Sequence, residues 1–152
     1  MSAMTIFSGT FCNAESVVKE LIGATGYQLV SDADIVESAS DLSGISAKKI
    51  FRIMADKTSV FNQFTHEKER AMAYLRLAMA RKLQETGFLL DGFAGLLIPN
   101  AIHHVLRVCL IADMNYREEK ACQDRGIDKK EARAMLHRDD EIRSVWVNGL
   151  FK

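Results

Sequence analysis

Net charge is missing from this chain: its 20 basic and 20 acidic residues leave a formal charge of +0 at pH 7. Binding to DNA, RNA or an anionic membrane through an electrostatic field needs a basic excess, so no nucleic acid and no membrane are expected among its partners. Long apolar runs are missing too, and neither terminus carries one of signal-peptide or membrane-span length. Cysteine is scarce: Cys12, Cys109 and Cys122 form an odd set without close spacing. They give no zinc pattern, so no metal is expected, and they suit free thiols in a reducing cytoplasm. Proline occurs once, at Pro99, and no internal repeat or low-complexity segment is present. What is there is 152 residues, 48% of them hydrophobic, enough for one domain with its own core and too few for two ordinary ones. A single cytoplasmic domain is the expectation.

Within it the apolar periodicities alternate between strand and helix, which argues an α/β fold. Thr5 to Phe7 reads as a short strand, and an amphipathic helix begins near Ala14, with Val17, Val18, Leu21 and Ile22 on one face and a break over Gly23 to Gly26. Tyr27-Gln28-Leu29-Val30 reads as a second strand. Ser31 suits the N-cap of a helix through Ala39, and Ser43-Gly44 separates it from another that Ser46 caps, bearing Ile50, Ile53 and Met54. A long helix from about His66 to Thr86 places Met72, Leu75, Met79 and Leu83 at helical spacing, with Glu67 and Glu69 in its first turn and Gly87 just beyond. That methionine-rich stripe reads as core. Phe88 to Asp91 is a third strand and Val105 to Ala112 a fourth, the latter a near-continuous apolar run of the kind buried on both faces of a parallel sheet. His103-His104 do not converge on one metal from a regular element and read as a surface turn or strand entry.

Residues 6–17, Ile-Phe-Ser-Gly-Thr-Phe-Cys-Asn-Ala-Glu-Ser-Val, have the strand–loop–helix context of a phosphate-binding loop. On the pattern G-x-x-x-x-G-K-[ST], Gly9 takes the first glycine, Ala14 the second, Glu15 the lysine and Ser16 the hydroxyl, with Thr10 and Asn13 in the loop between. The lysine of such a loop sets positive charge against transferring phosphates, where catalysis is almost entirely positioning and electrostatics. Glu15 inverts that sign. One unit pair at roughly 4 Å is worth about 1 kcal/mol in water and about 4 kcal/mol at a protein site's effective dielectric, and the exchange swings two units. An ordinary strand–turn–helix of an α/β sheet accounts for the same residues.

Past the fourth strand the sequence turns into a charged helical hairpin. Asn115 with Glu118 makes a capping pair for a helix ending near Gly126, and Asp128 with Glu131 makes another for a helix through about Val145. Arg117, Arg125, Lys129, Lys130, Arg133, Arg138, Asp139, Asp140 and Arg143 are expected to be exposed there. A solvated hairpin laced by i,i+4 pairs is one reading. The other is a mobile lid whose arginines close over a polyphosphate.

The loop-like first turn, a third strand ending in Asp91-Gly92 and the arginine-bearing hairpin follow one another in an order that resembles the nucleoside monophosphate kinases, and most closely the cytidylate kinase-like family of bacteria. The resemblance covers essentially the whole chain. Residues 112–117 (Ala-Asp-Met-Asn-Tyr-Arg), 125–132 (Arg-Gly-Ile-Asp-Lys-Lys-Glu-Ala) and 138–143 (Arg-Asp-Asp-Glu-Ile-Arg) look like the family's lid. Residues 31–37 and 43–46 look like its segment after the second strand. The resemblance implies a three-layer P-loop NTPase-like parallel sheet with flanking helices and a lid hairpin at about 115–145. It implies that Arg117, Arg138 and Arg143 bind triphosphate and stabilise the transferred group, that Asp140 orients the last of them, and that Asp32, Asp34, Asp91 and Phe93 lie at the monophosphate acceptor pocket.

Departures from the family's pattern are equally clear. Its glycine-rich loop ends in a basic residue, here replaced by Asn13-Ala14-Glu15, and its Gly-Arg after the third strand, which would clamp the acceptor phosphate, is here Gly92-Phe93. In the family a fifth strand and a closing helix follow the lid, whereas this sequence runs only to Lys152, so the last strand is absent and Trp146, Leu150 and Phe151 have nothing after them to bury them. A fragment of a longer protein, with a following domain or a partner chain over that edge, is expected. The reading preferred is a degenerate domain acting as a non-catalytic regulatory or interaction module, in a signalling protein. The alternative is an active kinase passing phosphate from ATP to CMP or a related monophosphate. A nucleotide is the ligand in question, and Mg-ATP the cofactor if the domain is active.

Overall fold

The computed structural model describes residues 3–55 and 66–150. In chain order they form β1 (Ala3–Ser8), α1 (Ala14–Thr25), β2 (Gln28–Ser31), α2 (Asp32–Ser43), α3 (Ala47–Ala55), α4 (His66–Lys82), β3 (Phe88–Asp91), a 3₁₀ turn (Ala94–Leu97), β4 (Val105–Leu110), α5 (Met114–Arg125) and α6 (Lys129–Leu150). The strands make one parallel sheet in the order β2-β3-β1-β4. Alternate side chains divide its two faces. Ile6 and Leu89 pack with Val18 of α1, while Ala3, Val30, Phe88 and Leu90 pack with α2, α3, α4 and Trp146 of α6. Helices therefore cover both faces, the three-layer arrangement expected.

Local chemistry sets the helix ends. Ser31 accepts a hydrogen bond from the Asp34 amide, and the Asp34 carboxylate in turn accepts from the Ser31 amide at 2.7 Å, a complete capping box for α2, worth about 1 kcal/mol for the cap alone. Gly44, at φ 71°, ends that helix four residues beyond the expected Ala39. The long helix α4 stops at Lys82 rather than Thr86, because the next amides bond three residues back (Gln84 to Arg81, Glu85 to Lys82) and tighten the chain toward Gly87. The cap of α5 is Asp113, whose carboxylate takes the Asn115 amide at 2.8 Å, not the pair Asn115 and Glu118. Glu118 instead is buried against α6, where it accepts from Arg133.

Two further expectations are corrected. The central, doubly buried strand is β3: Phe88, Leu89 and Leu90 are at most 1% exposed. β4 is an edge among the described residues, paired only with β1, and Leu106 is 41% exposed. The apolar run of 105–112 therefore marks a partly open strand, and Ile111 beyond it is 85% exposed. Helix α6 runs on to Leu150, and Trp146 within it is buried by the chain's own core, as Leu150 is partly. Phe151 lies outside the described residues. Among those residues no helix is long and apolar enough to cross a membrane.

The difference between the two strands is measurable. Leu89→Ala should cost about 2–5 kcal/mol of unfolding free energy, the usual range for a fully buried leucine, whereas Leu106→Ala should cost under about 1 kcal/mol. Urea unfolding of the two variants checks this, and equal losses would contradict the edge assignment of β4.

Candidate functional site

Parallel strands deliver their following loops to one edge, and ligands bind α/β sheets in the crevice there. β1 and β3 are in register at Ile6 and Asp91, and the Gly92 amide donates to the Ile6 carbonyl at 3.0 Å. The loop after β1 and the turn after β3 thus lie side by side. The Gly9 amide donates to Leu110 O at 3.1 Å, anchoring the loop to β4. No side chain fits at Gly9: a Cβ would stand 2.8 Å from Cys12 Sγ and 3.5 Å from Arg117 Cζ. Phe11 (φ 59°) and Asn13 (φ 60°) are both left-handed, a conformation costing about 1–3 kcal/mol for a bulky residue such as Phe11 and concentrated at functional sites.

Asn13 precedes α1 without capping its amides, so the first-turn N–H groups of that helix keep their partial positive charge. The Asn13 side chain accepts instead from the Ser16 hydroxyl at 3.1 Å. Glu15 is exposed at the start of α1 and lines a cavity of about 590 Å³ between the loop and the hairpin. Lys19, Lys120 and Arg143 line the same cavity. Lys120 pairs with Asp124 at 3.2 Å, while Lys19 makes no ion pair among the described residues. Neither lysine was foreseen. Lys19 stands four residues after Glu15, on the same helical face, and that spacing was the available signal.

The hairpin rests directly on this loop. Arg117, expected to be exposed, is buried, with its side chain 9% accessible. Its Nη1 and Nη2 donate to the two oxygens of Asp140 at 2.9 and 2.8 Å, and its Nε donates to Thr10 O at 2.8 Å. The Thr10 hydroxyl donates to Asp139 Oδ2 at 3.0 Å. Arg143 Nε donates to Ser8 O at 2.8 Å, and its Nη1 lies 3.7 Å from Asp140. The structure brings Arg117, Asp140 and Arg143 together, with Asp140 gripping Arg117 rather than chiefly Arg143, and leaves Arg138 out. Arg138 lies about 200° around α6 from Asp140, is exposed, and makes no hydrogen bond or ion pair among the described residues.

On the neighbouring strand end, Asp32 grips the turn after β3, accepting from the Phe93 amide at 2.8 Å and the Ala94 amide at 2.7 Å. Gly92, at φ 145°, is required there, since a Cβ would stand 2.4 Å from the Asp32 carboxylate. Burial pushes the Asp32 carboxyl above its ordinary pKa despite those two amides. Burial likewise raises Asp91, with help from the Asp32 charge. Asp34 faces away, in the capping box, and its carboxyl is held low by the Ser31 amide. Phe93 is the hub of an aromatic cluster: Phe7 and Trp146 stand edge-on to its ring at 5.6 and 6.4 Å, and the Arg143 guanidinium lies 5.9 Å from its centroid. Its carbonyl takes the Trp146 indole N–H at 3.2 Å.

A parallel α/β sheet with a loop, a strand-end aspartate and an arginine-bearing hairpin at one edge is the arrangement of a nucleotide kinase-like class of domain. The chain belongs to the cytidylate kinase-like family, whose match spans residues 3–152. Among solved structures it is similar to an uncharacterized protein from Eubacterium ventriosum ATCC 27560, at 20% identity over 97% of this chain and 78% of that one, with a TM-score of 0.65. TT1252 from Thermus thermophilus gives 14% identity over 94% of this chain and 84% of that one, with a TM-score of 0.48. A comparison with curated proteins gave no match.

At the loop positions that would hold Mg-ATP, the Ser16 hydroxyl donates to Asn13 Oδ1 at 3.1 Å and the Glu15 carboxylate stands where the pattern has its lysine.

Acid should expose the hairpin contacts. The Arg117 fork holds the Asp140 carboxyl below its ordinary 3.8, so between the two values the unfolded chain binds more protons and stability rises with pH. That contribution is present above 3.8 and lost as pH falls through the folded value. Asp32 and Asp91, raised, contribute with the opposite sign. Comparing urea midpoints at about pH 5 and about pH 3, Asp140→Asn should lose less on acidification than the unsubstituted chain. An equal loss would contradict the assignment.

Proposed function

We propose that this kinase-like domain is a non-catalytic regulatory or interaction module that keeps the anion-recognising frame of its family without transferring phosphate. The observation that carries the reading is the loss of cationic charge at both phosphate positions outside the hairpin. Glu15 presents a carboxylate to the loop cavity, and Phe93 is committed to the Phe7–Trp146 cluster. The ligand is a nucleotide or another phosphate-bearing molecule, held by first-turn amides of α1 together with Lys19, Lys120 and Arg143. Three free thiols support a reducing, cytoplasmic setting. A role inside a signalling protein calls for a partner domain, and the exposed Leu106 in β4 and Ile111 just beyond it support a surface for one.

With Mg-ATP and CMP, dCMP, UMP or AMP, turnover is expected at least about a hundredfold below the 1–100 s⁻¹ usual for kinases. A coupled assay measures it. Robust transfer would overturn the reading in favour of an active nucleoside monophosphate kinase. The observation favouring that second reading is Lys19 on the loop cavity, and activity that vanished in Lys19→Ala would identify the replacement for the loop lysine.

Glu15→Lys separates charge from geometry. It should raise nucleotide affinity, measured by calorimetry, by removing the carboxylate from the cavity. It should also cost about 0.3–1 kcal/mol of stability, because a cation replaces an anion at the start of α1. No gain in affinity from a folded variant would place the defect in the loop backbone rather than in the charge.

A further inference from the structure

Two of the donors at this site, the Arg117 fork and the Thr10 hydroxyl, are already satisfied, and the acceptors that satisfy them come from α6. Asp140 takes both terminal nitrogens of Arg117, and Asp139 takes the Thr10 hydroxyl. A planar carboxylate in a guanidinium fork makes the same bidentate contact that a phosphate makes, and a hydroxyl at a loop is an ordinary phosphate donor. Asp139 and Asp140 are adjacent, so one turn of one helix delivers both anions. The same turn is fixed from its other end, where Arg143 bonds Ser8 O and stacks over Phe93, and Trp146 bonds Phe93 O.

Resting on the proposed anion frame, we propose that Asp139 and Asp140 form an internal anion latch: they stand in for an external polyphosphate at Thr10 and Arg117 and so hold the α5–α6 hairpin down on the loop. An incoming polyphosphate competes with them for the same donors. Its binding releases the Asp139–Asp140 turn, and the position of the hairpin reports whether the loop is occupied. The residue where the family's pattern has an acceptor-clamping arginine, Phe93, then serves the latch by anchoring the far end of α6. A domain that binds an anion without converting it gains from this a change of shape that a partner can read.

The competition has a definite sign: neutralising the latch must strengthen binding, although it removes contacts from the folded protein. The test uses the full chain and inorganic triphosphate without a nucleoside, titrated by calorimetry, with amide hydrogen exchange of residues 129–145 followed in parallel. Asp139→Asn/Asp140→Asn should bind triphosphate about tenfold more tightly, a 1.4 kcal/mol gain, and its hairpin should exchange faster. Should the double variant fail to fold, Asp139→Asn alone carries the test, with a gain of about threefold, since it weakens one of the contacts. A folded variant that binds no more tightly than a binding-competent unsubstituted chain overturns the latch. Absence of binding by every protein, with hairpin exchange unchanged, overturns it as well. Absence of binding with hairpin exchange accelerated shows that the two aspartates fasten the hairpin but overturns the anion frame and, with it, the competition, and none of these outcomes depends on turnover.

Discussion

The bidentate contact between Arg117 and Asp140 is the one on which the rest of the site depends. It ties α5 to α6 across 23 residues of sequence. The third nitrogen of the same guanidinium bonds the Thr10 carbonyl, so the hairpin is fastened to the loop by the group that closes it. A guanidinium this enclosed must have all its donors engaged or suffer an uncompensated desolvation cost of several kcal/mol. That requirement fixes the height of the hairpin over the loop. The fork also packs against Gly9, where a Cβ would stand 3.5 Å from Arg117 Cζ, although the close approach that excludes a side chain there is that of Cys12 Sγ at 2.8 Å.

The sheet supplies the platform for this contact. β1 sits between β3 and β4, so its C-terminal end faces both the turn after β3 and the end of β4. Asp32 clamps the first of these by two amides, and the Gly9 amide binds the second. The loop is thereby held on two sides, and the left-handed Phe11 and Asn13 are sustained by that surrounding structure rather than by their own preferences. Phe93 completes the frame. A residue with a charged head at this place would project from the edge, whereas the phenyl ring packs between Phe7 and Trp146 and ties α6 to the sheet.

Much of the frame was legible in the sequence because local rules specify it. Ser31 followed by Asp34 is a capping signature that needs no tertiary information, and the strand–loop–helix from Thr5 to Ala14 is punctuated by Gly9. Phe88 to Asp91 is legible as a strand as well, and the resemblance singled out Arg117 and Arg143, which the fold brings to the loop. What was missed depends on distant partners. The Thr10–Asp139 contact joins residues 129 apart, and no spacing announces it. Charge on a helix usually means solvent, which is why Arg117 reads as exposed in the sequence, yet the half-exposed Asp140 carboxylate and the Thr10 carbonyl together engage its donors and let it be buried. β4 and β3 both read as apolar runs, and only strand order decides which is central. Arg107, in the middle of β4, was the sign that one face stays open, and it folds back on the Pro99 and Ile102 carbonyls. Trp146 was expected to need outside cover, but the added turns of α6 carry it over Phe93 and into the core.

A double-mutant cycle on Arg117→Ala and Asp140→Ala, followed by urea unfolding, tests the central claim most directly. If the fork fastens the hairpin, the coupling energy should be about 1.5–3 kcal/mol, the range for hydrogen bonds to charged groups, with the single variants each losing more than the pair is worth. A coupling below about 0.5 kcal/mol, the value of an exposed surface pair, would contradict the account.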